Sequence, residues 1–136
     1  MRVVFLQIKD NRLKVQKLIQ IAHYHFQKNE PFLFIANDIK SANYVDELLW
    51  KIPALSFLPH VIEDKLSQEK VIITTRKENL NQAKYVFNLC PTPLLWDNLK
   101  ILYEFEDLTH PGKQLLSRKK YEAYKERKYF IESNLT

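Results

Sequence analysis

A chain of 136 residues, 46% of them hydrophobic and 12% aromatic, has the length of one domain and enough apolar material for one core. No apolar run reaches the roughly 18 residues that cross a bilayer, and the single cysteine, Cys90, excludes an intrachain disulfide and a cysteine-rich metal centre. The net charge is +5, and residues 113–128 carry all of it, with seven basic side chains against Glu122 and Glu126. Such a segment faces an acidic partner, a nucleic-acid backbone or an acidic peptide, or else is a solvated helix face.

Met1-Arg2-Val3-Val4 leads directly into a strand-like run rather than a signal peptide, which with the lone cysteine sets a cytoplasmic location as the expectation. The nearly continuous apolar run Val3 to Ile8 is the pattern of a strand buried on both faces. Asn11 can cap a helix to about Lys28, whose apolar stripe is Val15, Leu18, Ile19, Ala22 and Phe26. Phe32 to Ala36 reads as a second buried strand. Asn37 or Asp38 then caps a helix with Ala42, Val45, Leu48 and Leu49 on its apolar face, and Pro53 bars its continuation. Glu63 to Glu69 is polar, lacks periodicity and has the character of a mobile loop. Val71 to Thr75, Tyr85 to Leu89 and Ile101 to Tyr103 supply three more strands, and Leu94-Leu95-Trp96 between the last two reads as a helical turn. Thr109-His110-Pro111-Gly112 breaks the chain before a final helix from Lys113 to about Lys128. Strands alternating with helices predict one three-layer α/β/α domain over residues 1–136, with a mostly parallel sheet.

Open α/β sheets commonly bind nucleotides at the carboxyl ends of their strands. The one glycine, Gly112, argues against that here, because phosphate-binding loops need several glycines for close approach of backbone N–H groups. Lys9-Asp10-Asn11-Arg12 and Asn37-Asp38-Ile39-Lys40, which follow the first two strands, are not phosphate-binding loops. His23 and His25 lie about 200° apart around a helix and cannot chelate one metal from the same face. His25 is expected to pack near Phe26, with His23 towards solvent. Cys90 sits beside an apolar run that looks like core, and Asp46-Glu47 and Glu104-Glu106-Asp107 read as solvated acids. No nucleophile and base stand together, so the expectation is a protein without catalysis, cofactor, metal or small-molecule substrate.

Two stretches carry a family resemblance. Val45-Asp46-Glu47-Leu48-Leu49-Trp50 ends a helix, is followed by Pro53, and continues into Ser56-Phe57-Leu58-Pro59-His60; Arg118-Lys119-Lys120-Tyr121-Glu122-Ala123-Tyr124 lies in the basic helix. Both are similar to segments of the chi subunit of the bacterial DNA polymerase III clamp-loader assembly, and the order of the elements between them also fits. The resemblance implies a nucleotide-binding type of fold that has lost its phosphate site, in a non-catalytic accessory subunit. It further implies that the aromatic segment grips a small partner subunit, psi, through Trp50 and Phe57 with Leu58, Pro59 and His60 as rim. From the residues alone, these aromatics are either core filler at a helix-to-loop corner or an interface framed by rigid prolines.

For the basic helix the resemblance implies a site for the acidic C-terminal tail of single-stranded-DNA-binding protein, which ends in Phe with a free carboxylate. Aligned through Tyr121 and Tyr124, Arg118 falls on the family's tail-binding arginine, and its planar fork can hold a carboxylate bidentately. Gln114 stands where the family has a basic residue, with Lys113 one position away, and the apolar socket would draw on Leu102 to Leu108 and Leu115. DNA would be engaged only indirectly. The alternative is direct single-stranded nucleic-acid binding by the lysines and arginines, with Tyr121, Tyr124 and Tyr129 stacking on bases.

Overall fold

The computed structural model describes residues 1–51 and 58–134. Among the described residues, seven strands, β1 (Arg2–Ile8), β2 (Phe32–Ile35), β3 (Val61–Ile62), β4 (Val71–Thr74), β5 (Tyr85–Asn88), β6 (Ile101–Asp107) and β7 (Phe130–Asn134), form one sheet in the order β3-β4-β2-β5-β6-β1-β7. Every neighbouring pair is parallel. The helices are α1 (Asn11–Gln27), α2 (Ile39–Trp50) and α3 (Pro111–Glu126). Travel from β1 to β2 and from β2 to β3 runs towards one edge of the sheet, whereas β6 to β7 runs towards the other. Connections of one hand must then place α3 on the face opposite α1 and α2.

The period-two alternation of the strands fills both faces. Val4, Leu6 and Ile8 of β1, Phe32 and Phe34 of β2, and Tyr103 and Phe105 of β6 pack under Leu18 and Ala22 of α1 and Ala42, Val45, Leu48 and Leu49 of α2. Val3, Phe5, Leu33, Ile35, Val86 and Leu102 face the other way, towards Tyr124 of α3 and the irregular segments bearing Leu80, Leu94 and Leu99. The architecture is therefore α/β/α, with the third layer completed by loops.

Local signals fix the helix ends. Asp10, not Asn11, caps α1, its carboxylate accepting the Leu13 N–H at 2.8 Å, and Asp38 caps α2 by accepting the Ser41 N–H at 2.8 Å. His110 Nδ1 accepts the Gly112 N–H at 3.0 Å at the start of α3, with Pro111 in the first turn. α1 closes with Asn29 N–H donating to Phe26 O and Glu30 N–H to His25 O, both at 2.9 Å. α3 closes alike, Lys128 N–H donating to Lys125 O and Tyr129 N–H to Tyr124 O. Both are Schellman closures, and Asn29 (φ 59°) and Lys128 (φ 62°) hold the left-handed position that glycine usually takes.

Several sequence expectations change. Leu94-Leu95-Trp96 is irregular chain rather than a helical turn, held where the Leu94 N–H donates to the Tyr124 hydroxyl at 2.9 Å. β6 runs four residues past Tyr103, and β3 and β7 join both edges. The 63–69 loop is tied at two points, Glu63 N–H to Ile73 O and Ser67 N–H to Leu80 O. His25 is buried against Tyr85 and Phe32, ring centroids 4.2 and 5.3 Å away, and its Nε2 lies 2.6 Å from the Tyr103 hydroxyl. Cys90 is core, and burial pushes its thiol pKa up. Pro53 lies outside the described residues.

Candidate partner-binding sites

α3 meets β6 through a buried polar cluster that decides how the helix presents its other faces. Glu104 alternates with Leu102 and so points under α3, where it is wholly buried. Lys120 Nζ lies 2.8 Å from Glu104 Oε1, Asn88 Nδ2 donates to Oε2 at 2.7 Å, and the Tyr124 hydroxyl donates to Oε2 in a shorter bond. Burial pushes the Glu104 pKa up, against the opposing pull of the Lys120 ammonium and the hydrogen bonds from Tyr124 and Asn88. Ser117, three residues before Lys120, accepts the Asp107 N–H and donates to Phe105 O. The inward face of α3 is thus Ser117, Lys120 and Tyr124, and these acids, expected to be solvated, are partly internal: Asp107 is 6% exposed. Although burial pushes the Asp107 carboxyl up, the Thr109 hydroxyl and N–H and the Lys14 ammonium together hold its pKa below the ordinary range.

Beside this cluster, Gln114, Arg118, Tyr121 and Glu122 of α3 and Glu106 and Leu108 line a groove of about 420 Å³. Gln114 and Arg118 are one turn apart, which brings them to the same wall. Among the described residues Arg118 makes no ion pair or side-chain hydrogen bond, so its fork is available to a ligand. The structure brings Gln114 and Arg118 together and leaves Lys113 out: one residue is about 100° of helix rotation, and Lys113 turns away from this groove into a separate crevice, 3.9 Å from Asp107. Of the anticipated apolar socket, Leu108 reaches the groove, Leu102 is core, and Leu115 is half exposed outside the lining. Glu106 is engaged by Gln7, whose Nε2 donates to it at 2.6 Å.

The three tyrosines of the base-stacking alternative differ in exposure. Tyr124 is fully buried and cannot stack on a base, and Tyr129 is half buried with its hydroxyl donating to Asp97 at 2.8 Å. Tyr121 is the exposed member, its inner edge near Phe5. Lys120 is likewise internal, which removes one of the seven basic side chains from the surface.

At the end of α2, Trp50 is 54% exposed and its ring lies 4.5 Å from the His60 ring. His60 is held by its Nδ1–H donating to Leu58 O at 2.7 Å, while its Nε2 lies 3.2 Å from Asp46 Oδ1 without hydrogen-bond geometry. Its side chain is buried and Leu58 is core, so both support this corner from beneath, while Pro59 is exposed. Phe57 lies outside the described residues.

Among the described residues no group of three His, Cys, Asp or Glu side chains is placed to hold a metal ion, and no helix is long and apolar enough to cross a membrane. Fold and sites together define an open-sheet α/β domain whose distinguishing surfaces are a groove along a basic helix and an aromatic helix end. Residues 1–132 match the family described as DNA polymerase III chi subunit, HolC, and the chain belongs to that family. It is accordingly an accessory subunit of DNA polymerase III, acting in DNA replication. A search of curated proteins finds no match.

Proposed function

We propose that this subunit links single-stranded-DNA-binding protein to the clamp-loader assembly through two separate surfaces, without catalysis of its own, in the cytoplasm. The α3 groove takes the acidic C-terminal tail, with Arg118 on the terminal carboxylate, Gln114 beside it, and Leu108 and Tyr121 against the terminal Phe. The Trp50 corner, with Phe57 and Pro59, takes a psi-like subunit. The observation that carries this reading is the unpaired Arg118 fork in a groove that also offers Leu108 and Tyr121. An ionised carboxylate and a planar guanidinium form two parallel charge-assisted hydrogen bonds, and an apolar wall beside them selects a carboxylate carried on an apolar residue.

Glu106 and Glu122 oppose an acidic peptide at this groove. Attraction at longer range must therefore come from Lys119 and Lys125 on the exposed part of α3 and Lys128 just past its end, which makes binding salt-sensitive. The burial of Tyr124 weighs against the alternative of base stacking along the helix.

Affinity capture from the native cell extract tests the division of labour. The wild-type chain is expected to retain both single-stranded-DNA-binding protein and clamp-loader subunits, Arg118→Ala to lose the former alone, and Trp50→Ala the latter alone. Loss of both partners in either variant, with folding intact, would contradict two independent surfaces.

A further inference from the structure

β6 and β1 are neighbours in the sheet, yet the chain leaves β6 for α3 on one face and β1 for α1 on the other. Where adjacent strands send their connections to opposite faces, a crevice opens at their carboxyl ends. Here a crevice of about 520 Å³, within the range of small-molecule sites, is lined by the carboxyl ends of β5 and β6 and by residues of α1, α2 and α3, with none from β1. It lies on the other side of Ser117 and Lys120 from the Arg118 groove.

Its walls have two characters. Leu18, Val45, Leu89, Phe105 and Leu116 give an apolar interior, and Tyr44, 54% exposed, stands at the rim one turn after Lys40. Lys14, Lys40, Lys113 and Lys120 converge on the same space against two carboxylates, Glu104 and Asp107. Lys120 is committed to Glu104 at 2.8 Å, and Lys14 and Lys113 share Asp107 at 3.0 and 3.9 Å. Among the described residues Lys40 has no ion-pair partner. The lining thus holds two more ammonium groups than carboxylates, and it adjoins the first turn of α2, whose Ser41 also lines it.

We propose that this crevice binds a small organic phosphate, with a flat or aliphatic body in the apolar interior and one phosphate monoester among Lys40, Lys113 and Lys14. A monoester carries close to two negative charges at neutral pH, which matches the excess of the lining. The scarcity of glycine excludes a backbone cradle for a di- or triphosphate, but it leaves capture by mobile ammonium groups open.

Phenyl phosphate titrated into the ¹⁵N-labelled full chain is the direct test, with inorganic phosphate and benzyl alcohol as separate controls. Phenyl phosphate should shift the backbone amides of Ser41, Leu89 and Lys113 saturably, and each control should do so far more weakly. Lys40→Glu and Lys113→Glu, both at exposed positions, should each weaken binding about five-fold or more, as expected for reversing a unit charge beside a surface site. Equal response to inorganic phosphate or to benzyl alcohol, unchanged affinity in both variants, or shifts centred on Arg118 would overturn the proposal. So would a free-acid tail peptide that perturbs the Ser41 and Leu89 amides, which lie away from Gln114, since it would assign the crevice to the peptide.

Discussion

Lys120→Met removes the ammonium that faces a fully buried carboxylate, 2.8 Å from Glu104 Oε1. The tyrosine and asparagine donors stay in place, yet neither supplies charge, so the variant strands an anion in the layer between α3 and the sheet. Breaking one side of such a buried pair costs about 3–5 kcal/mol, whereas replacing both partners is close to neutral. Met preserves most of the lysine stem's packing, so the loss reports charge rather than a cavity. Urea denaturation should therefore show a large drop in midpoint for Lys120→Met. Lys120→Met/Glu104→Gln should recover more than half of it, because the Gln carbonyl still accepts from Tyr124 and Asn88. The sign of the pH dependence follows. Burial already raises the Glu104 pKa, and removing Lys120 removes a strong opposing influence and raises it further. A carboxyl with a raised folded pKa costs stability while it must be ionised, and this cost fades as the pH falls towards the ordinary carboxyl value of about 4.3. The deficit relative to wild type should thus be largest at neutral pH and shrink towards pH 4. A single variant within about 1 kcal/mol of wild type at pH 7 would refute the reasoning, given the 3–5 kcal/mol expected.

Three further outcomes are expected. Lys128→Gly should stabilise the chain by about 1 kcal/mol in the same urea assay, since Lys128 holds a left-handed conformation at the end of α3; destabilisation would mean that its side chain contributes more than its backbone strain costs. Burial lowers the His25 pKa despite Glu30 beside its ring, so the unfolded chain binds the proton more readily and stability should fall as the pH drops below about 6.5. His25→Gln should flatten that slope, and an unchanged slope would assign it to other groups. Glu122→Gln should tighten tail-peptide binding about two- to three-fold by removing a carboxylate from the groove, and weaker binding would place the peptide elsewhere.

The apolar stripes made α1 and α2 legible, and α2 buries the four residues its spacing named, Ala42, Val45, Leu48 and Leu49. β7 was hidden because Glu132, Ser133 and Asn134 lack strand character; it exists because β1 offers an edge for pairing from Arg2 to Leu6. β3 has two residues, too few for any periodicity. The extension of β6 was missed for a different reason: Glu104 and Asp107 read as solvent-facing, although the alternation from Leu102 through Glu104 put the first of them on the buried α3 face. Ser117, Lys120 and Tyr124 at helical spacing were the matching signal, a polar stripe that a search for apolar stripes passes over. In the groove, Gln114 and Arg118 were legible as an i, i+4 pair, whereas Lys113 was placed by sequence proximity and turned away by one step of helix rotation. The aromatic corner was legible at Trp50, but the burial of Leu58 and His60 depended on contacts with α2 that no local pattern encodes.

The most direct test of the tail-binding account is a fluorescence titration of the single-stranded-DNA-binding protein tail peptide, as free acid and as C-terminal amide, against wild type, Arg118→Ala and Arg118→Lys. A bidentate clamp predicts that the free acid binds wild type, that Arg118→Ala loses roughly 1.5 to 3 kcal/mol, and that the ammonium of Arg118→Lys recovers part of this. Amidation should cost wild type a similar amount and leave Arg118→Ala almost unaffected. Equal affinity of wild type for the free-acid and amidated peptides would contradict a carboxylate clamp at Arg118.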